Sequence, residues 1–201
     1  KVSEKELRET YLPAFKACVQ EGKVEAVMGA YNRTNGEACC ASKTLIQDIL
    51  RDEWGFEGHF VSDCWAIADI YKEGHHELVE TKEEAAALAI NAGCDLNCGC
   101  TFGAALEAVW KGLLKEETID EAVTRLFTTR YLLGILGDKR NEAFDSLTYL
   151  ENDSPEHRAF NREVAQKTIV LLKNDGILPL DPQAQKTIGI IGPNANNRKA
   201  L

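Results

Sequence analysis

One carboxylate stands out by its surroundings. Gly55–Phe56–Glu57–Gly58–His59–Phe60–Val61–Ser62–Asp63–Cys64–Trp65–Ala66–Ile67 reads as a turn, a short strand and a polar group delivered at its end. Gly55 and Gly58 punctuate the approach. Phe60 and Val61 favour a strand. Ser62 and Asp63 fall where a parallel α/β sheet opens its ligand face. An aspartate there has three chemical uses. It can cap a helix or order a loop. It can bind a cation, with Asp95 and Asn97 as partners in a magnesium site; His75 and His76 lie too far along the following loop to form a ligand pattern with it. It can attack the anomeric carbon of a sugar, provided it stays ionised, meets polar donors and is shielded from bulk water. For that third use Tyr31 is a candidate donor, and Trp65 is an apolar platform for a pyranose face.

A retaining sugar hydrolase needs a second carboxyl group about 5–5.5 Å from the first to protonate the leaving oxygen. Glu53 and Glu57 precede the strand and belong toward its far end. Glu73, Glu77 and Glu80 follow Asp63 on a loop, and no spacing singles one out. The seven cysteines are Cys18, Cys39, Cys40, Cys64, Cys94, Cys98 and Cys100. The run Cys94, Cys98, Cys100 lacks the C-x2-C pairing of structural zinc sites. Buried free thiols are the expected state, with a disulfide among Cys39, Cys64, Cys94 and Cys98 as the alternative. No metal and no cofactor are expected.

The elements that must position these groups alternate. Ser3 to Glu21 reads as a helix opened by a Ser3–Glu6 capping box, with a kink near Leu12 imposed by Pro13. Val24 to Tyr31 reads as a strand buried on both faces. Ser42 caps a helix to Glu53 with Leu45, Ile46, Ile49 and Leu50 inward and Trp54 over its end. After the Phe60–Val61 strand, Thr81 and Glu84 open a helix to about Asn91 along Ala85, Leu88 and Ala89, and Gly93 ends it. Cys94 to Asn97 is a very short strand. Phe102 to Gly112 is helical. Thr118 with Glu121 caps a further helix whose apolar side is Ile119, Ala122, Val123, Leu126, Phe127, Tyr131 and Leu132. Repeated βα units imply a parallel sheet with helices outside. Ser154 caps a last helix to Leu172, with Pro155 at its first position and Ala165, Ile169 and Leu172 inward. Thr187 to Ile191 reads as a buried strand.

With 201 residues and 44% apolar content, the chain can build one domain, or one plus part of another. A net charge of −9 with no offsetting basic block argues against nucleic acid or an anionic membrane as partner. No apolar run approaches the length that spans a bilayer. Lys1 to Glu9 is too charged for a secretory leader. The compartment stays open among periplasm, secretion and cytoplasm.

Several stretches together resemble the family 3 glycoside hydrolases, most closely their β-glucosidase and β-xylosidase branch. They are Val27–Met28–Gly29–Ala30–Tyr31–Asn32–Arg33–Thr34–Asn35–Gly36, Leu50–Arg51–Asp52–Glu53–Trp54–Gly55–Phe56–Glu57–Gly58, Val61–Ser62–Asp63–Cys64–Trp65 and Ala92–Gly93–Cys94–Asp95–Leu96–Asn97–Cys98–Gly99. Val164 to Asn174 and Leu178–Pro179–Leu180 resemble the opening of that family's second domain. The resemblance implies an α/β chain with two parts: the C-terminal portion of a (β/α)8-type barrel, then the beginning of an α/β sandwich domain. Residues 1–137 would be barrel, 138–153 linker and 154–201 the truncated start of the sandwich. It implies a retaining exo-acting hydrolase that removes terminal β-D-glucosyl or β-D-xylosyl residues from a small oligosaccharide or glycoside by double displacement. Asp63 would be the nucleophile, Tyr31 would hydrogen-bond near it, and Met28 and Trp65 would line the sugar pocket. Cys64 stands where many members carry the tryptophan that follows the nucleophile, which blurs substrate choice. Asp95 and Asn97 would be strand-end hydrogen-bonding residues, and His59 structural. The family's general acid comes from its second domain, beyond this chain, so the chain is expected to be an inactive internal piece of an active enzyme. Its unmatched apolar surface is expected to make it self-associate. The competing readings are a non-catalytic carbohydrate-binding or interaction module, and β-N-acetylhexosaminidase activity on the same scaffold.

Overall fold

The computed structural model describes residues 1–136, 142–184 and 187–197. The chain divides into two units, Lys1–Glu142 and Ala143–Leu201. In the first, β1 (Ala26–Gly29) and β4 (His59–Ser62) run parallel, with Ala26 opposite His59 and Gly29 opposite Ser62. Leu96 adds a single parallel bridge to Val61 on the other side of β4. Parallel neighbours need a crossover. Here it consists of the small hairpin β2 (Arg33–Thr34) and β3 (Glu37–Ala38) followed by the helical segment Thr44–Glu53. Gly29 lets β1 lie close to the core: a Cβ there would stand 2.8 Å from both the Cys40 sulfur and the Phe60 ring. β1 was expected to be buried on both faces, yet Ala26 and Met28 are exposed and only Gly29 is buried. Its apolar run pairs along one edge, with β4, and covers one face.

Local chemistry sets the helix starts. Ser3 and Glu6 form a reciprocal capping box, each such cap contributing about 1 kcal/mol. The kink at Leu12 takes the form of a π turn over Leu7–Tyr11, closed by Leu12 N–H on Leu7 O, before the helix restarts as Pro13–Gln20. Thr44–Glu53 is wound as a π-helix and buries Ile46, Ile49 and Leu50, with Trp54 buried at its end. Ser42 Oγ accepts from Leu45 N–H at 3.0 Å. The Glu37 carboxylate takes the Ser42 hydroxyl and both the N–H and hydroxyl of Thr44. Partial burial opposes charge on Glu37, but these hydrogen bonds outweigh it and hold the carboxyl below its ordinary range.

Lys82–Asn91 opens on a Thr81–Glu84 capping box and is lined with alanine. Ala85 and Ala89 join the main core around Ile46, Phe60, Ile67 and Ile70, while Ala87 and Ile90 join a smaller cluster with Ala108 and Leu114. Small side chains on both flanks let one helix sit between two packed groups, and Leu88 points to solvent at 38% exposure rather than inward. The stretch from Phe102 is helical as Thr101–Ala104 and Ala105–Trp110.

Glu116–Leu132 starts two residues before the expected Thr118 cap, with Lys115 in the capping position. Its inward stripe is Ala122, Arg125 and Thr129, whereas Val123, Phe127, Tyr131 and Leu132 are exposed. Arg125 and Thr129 both find partners in the sheet layer, and those polar contacts fix the helix's rotation.

In the second unit Ser154 caps Pro155–Thr168 through His157 N–H. The helix stops at Thr168, and Ile169 and Leu172 are exposed, as is Ala165. Asn174 ties a turn by accepting from Gly176 and Leu178 N–H and donating to Leu178 O. Residues 187–191 form no strand, and Ile188, Ile190 and Ile191 are exposed. A strand is defined by its partner, and among the described residues these find none. Part of the expected linker, residues 138–141, lies outside the described residues, as does residue 137 before it. No described helix is long and apolar enough to cross a membrane.

Candidate active site

Asp63 follows directly on β4, at the C-terminal edge of the parallel pair. Its N–H donates to Gly29 O at 3.0 Å, continuing the ladder one residue past the strand. Its carboxylate Oδ1 accepts the N–H of Cys64 at 2.7 Å. The side chain is half-buried, and the following turn carries Ala66 N–H on Asp63 O.

Tyr31 reaches the same turn, but its hydroxyl donates to Cys64 O rather than to the Asp63 carboxylate. The carboxylate is turned back onto the Cys64 N–H, so the tyrosine meets the carbonyl of the same residue. Loss of water around the ring, with the charges of Asp63 and Asp69, holds the Tyr31 phenol above its ordinary range and keeps it a donor. His76 Nε2 lies 2.7 Å from Tyr31 O and Arg33 donates to His76 O, fastening the following loop onto this one. Met28 is exposed on β1 opposite Val61. Trp65 is also exposed, with the Lys72 ammonium 6.0 Å from its ring centre. It adopts φ +69°, a left-handed conformation that a bulky residue takes up only under constraint.

That constraint comes from the loop after the Leu96 bridge. Trp65 N–H donates to Cys98 O at 2.7 Å, and Cys64 and Cys98 form a disulfide. Ser62 Oγ accepts from Asn97 Nδ2 and from Cys98 N–H, while Asn97 Oδ1 receives the N–H groups of Thr101 and Phe102. The other cysteines are free: Cys39, Cys40 and Cys94 are buried, and Cys18 and Cys100 are exposed. Buried free thiols are thus only part of the picture, because the turn after Asp63 brings Cys64 onto Cys98. Burial pushes the Cys40 thiol up to about 11, and Cys94 upward as well.

Beneath the site lies a buried charge cluster. Asp95 accepts from Arg51 Nη2 at 2.9 Å, Arg125 Nε at 2.8 Å and Phe60 N–H at 2.8 Å. Arg51 also donates to Phe56, Gly58 and Gly93 carbonyls; its Nε is buried without a hydrogen-bond partner among the described residues. Burial lowers the Arg51 pKa, against the pull of Asp95. These contacts give both Asp95 carboxylate oxygens to arginines, and no group of three metal-binding side chains gathers among the described residues. At the other end of β4, His59 Nδ1 lies 2.9 Å from Thr129 Oγ1, which donates to Glu25. Of the loop glutamates, Glu77 folds back onto Gly74 N–H; Glu53, at the end of the helical segment before β4, pairs with Arg8. Sequence reasoning held the Cys64–Cys98 pairing only within a set of four cysteines and Asn97 as a strand-end hydrogen-bonding residue; the bonds from Asn97 and Cys98 to Ser62 Oγ were missed.

This geometry defines a mixed α/β protein with parallel strands and a carboxylate held at their C-terminal edge. The chain belongs to glycosyl hydrolase family 3: the model for the family's N-terminal domain matches residues 1–129. It is 42% identical over its whole length to a probable exo-1,4-β-xylosidase of Neosartorya fischeri, of which it covers 26%. It is also 42% identical to a xylan 1,4-β-xylosidase of Xylanibacter ruminicola, of which it covers 23%. The chain therefore spans about a quarter of the length of these relatives. Among solved structures it resembles a family 3 exo-β-xylosidase bound to a xylobiose aziridine probe, with TM-score 0.67 and 31% identity over 90% of this chain and 24% of that one. It also resembles a β-glucosidase from Listeria innocua in complex with glucose, with TM-score 0.69 and 32% identity over 89% of this chain and 24% of that one.

Proposed function

We propose that the protein carrying this chain is a retaining exo-acting glycoside hydrolase that removes terminal β-D-xylosyl or β-D-glucosyl residues from small glycosides, with Asp63 as nucleophile. The observation that carries the reading is the Asp63 carboxylate, half-buried at the C-terminal edge of β4 and oriented by a 2.7 Å backbone donor. That is the provision a carboxylate nucleophile needs: fixed direction and partial shielding. Asp63 attacks the anomeric carbon, a second carboxyl group protonates the departing oxygen, and water then cleaves the glycosyl-enzyme with retention. Met28 and Trp65, both exposed beside the turn, are the sugar-lining groups, and Tyr31 holds the turn from the other side. The identity to xylosidases over the full chain supports xylosides as the preferred class.

The second carboxyl group is assigned to no residue of this chain. Glu77 and Glu53 are engaged elsewhere. In the same reading, residues 1–137 belong to a (β/α)8-type barrel, 138–153 link, and 154–201 open an α/β sandwich domain. A 2-deoxy-2-fluoro-β-xyloside with a good leaving group tests the nucleophile in the whole enzyme. The expected result is one covalent adduct, mapped to the peptide containing Asp63 and absent from Asp63→Ala. An adduct on another carboxylate, or none in a folded enzyme that hydrolyses xylosides, overturns the assignment. Hydrolysis of an aryl β-xyloside by the 201-residue chain alone would overturn the placement of the acid elsewhere.

A further inference from the structure

At Cys64 a backbone constraint, a candidate catalytic group and solvent meet. Cys64 is exposed and its partner Cys98 half-buried, so the bonded pair lies outside the buried core. The Cys64 N–H holds Asp63 Oδ1, and its carbonyl receives the Tyr31 hydroxyl. The next residue, Trp65, is kept at φ +69° and donates to Cys98 O. Two links to Cys98 therefore close on one strained position: the sulfur bond from Cys64 and the hydrogen bond from Trp65. The remaining ties of this region do not need the sulfur bond. Ser62 keeps its own bonds to Leu96, Asn97 and Cys98 N–H, and neither bonded cysteine belongs to the buried core cluster.

We propose that Cys64–Cys98 is a thiol–disulfide exchange site, opened by a small dithiol, and that opening it relaxes the Asp63–Trp65 turn while the unit stays folded. A thiolate of the reagent attacks the exposed Cys64 sulfur, the Cys64–Cys98 bond breaks, and Cys98 leaves as thiolate. The reagent's second thiolate attacks its own sulfur in the mixed disulfide, closing a cyclic disulfide and expelling Cys64 as thiolate. Two electrons pass from the dithiol to the protein, and the two protons of the dithiol balance the two new cysteine thiols. Cys100, an exposed thiol two residues beyond Cys98, is the internal competitor for pairing with Cys98. The proposal concerns the covalent state of the turn and stands whether or not Asp63 attacks a sugar.

The test uses the 201-residue chain, alkylated with iodoacetamide before and after dithiothreitol and mapped by peptide mass. Before reduction, Cys18 and Cys100 should be alkylated, with Cys64 and Cys98 recovered as one linked peptide. After it, Cys64 and Cys98 should also be alkylated while Cys39, Cys40 and Cys94 remain protected and far-UV circular dichroism is unchanged. Tryptophan emission should rise as the quenching disulfide beside Trp65 is removed. That rise should vanish in Trp65→Phe and in the Cys64→Ser, Cys98→Ser double variant. The proposal fails if Cys64 and Cys98 resist dithiothreitol until denaturant is added. It also fails if the buried thiols become reactive with them, or if the native map joins Cys98 to Cys100.

Discussion

The Asp63 carboxylate gains its direction from a neighbour in sequence, and Tyr31 gives that neighbour its support. Tyr31 meets the carboxylate at one remove, through Cys64: the N–H of this residue faces Asp63, and its carbonyl, in the next peptide unit, faces the phenol. Tyr31→Phe removes one hydrogen bond without reshaping the turn. A net contribution of about 1 kcal/mol for such a bond corresponds to a roughly fivefold slower formation of the Asp63 adduct. The second-order rate of labelling by the fluoro-xyloside measures it, and an unchanged rate would detach Tyr31 from Asp63. Sequence reasoning could place both residues at strand ends because strand ends follow from local pattern. It could not tell which oxygen the phenol would meet, since that depends on the turn geometry after β4.

Among the elements, what was legible was local. The capping boxes at Ser3–Glu6 and Thr81–Glu84 are read from a three-residue spacing, and both formed. Burial was legible only where neighbours are also encoded nearby, as in Ile46, Ile49 and Leu50. Helix Glu116–Leu132 shows the limit: its many apolar residues suggested an inward face, but Arg125 and Thr129, spaced four apart, set the inward side instead. The disulfide shows it too, since Cys64 and Cys98 are 34 residues apart and no spacing selects the pair. The buried thiols of the first unit carry a pH prediction. An unfolded thiol loses its proton near 9.0, whereas Cys40 in the fold holds it to about 11. Between those values the unfolded chain is the form that has shed protons, so stability falls as pH rises through that window. Urea midpoints measured from pH 8 to 11 should fall, and the fall should be shallower in Cys40→Ala. Equal slopes would show that the thiol does not titrate late.

On the scale of the molecule, a buried charge cluster ties together three elements of the first unit. Asp95 joins the helical segment Thr44–Glu53, strand β4 and helix Glu116–Leu132 through Arg51, Phe60 N–H and Arg125. Asp95→Asn keeps the shape but leaves the Arg51 guanidinium, only 10% exposed, without its countercharge. The expected loss is about 3–5 kcal/mol, read as a lower urea midpoint with an unchanged m-value. A loss under about 1 kcal/mol would reduce the cluster to an ordinary surface pair. The apolar residues that helix Glu116–Leu132 leaves in solvent, Val123, Phe127 and Tyr131, lead to a further expectation: the isolated chain should associate with itself. Light scattering after size exclusion should give a mass above one chain that grows with concentration; a constant monomer mass would refute it.

The same cluster has a bearing on synthesis. A ribosome delivers Arg51 first, Asp95 some forty residues later and Arg125 some thirty after that. Until Arg125 leaves the exit tunnel, the nascent chain can pair Asp95 only with Arg51, and helix Glu116–Leu132 has no tie to that carboxylate. The link from Asp95 to that helix is thus the last of its three side-chain and strand ties to become available during synthesis.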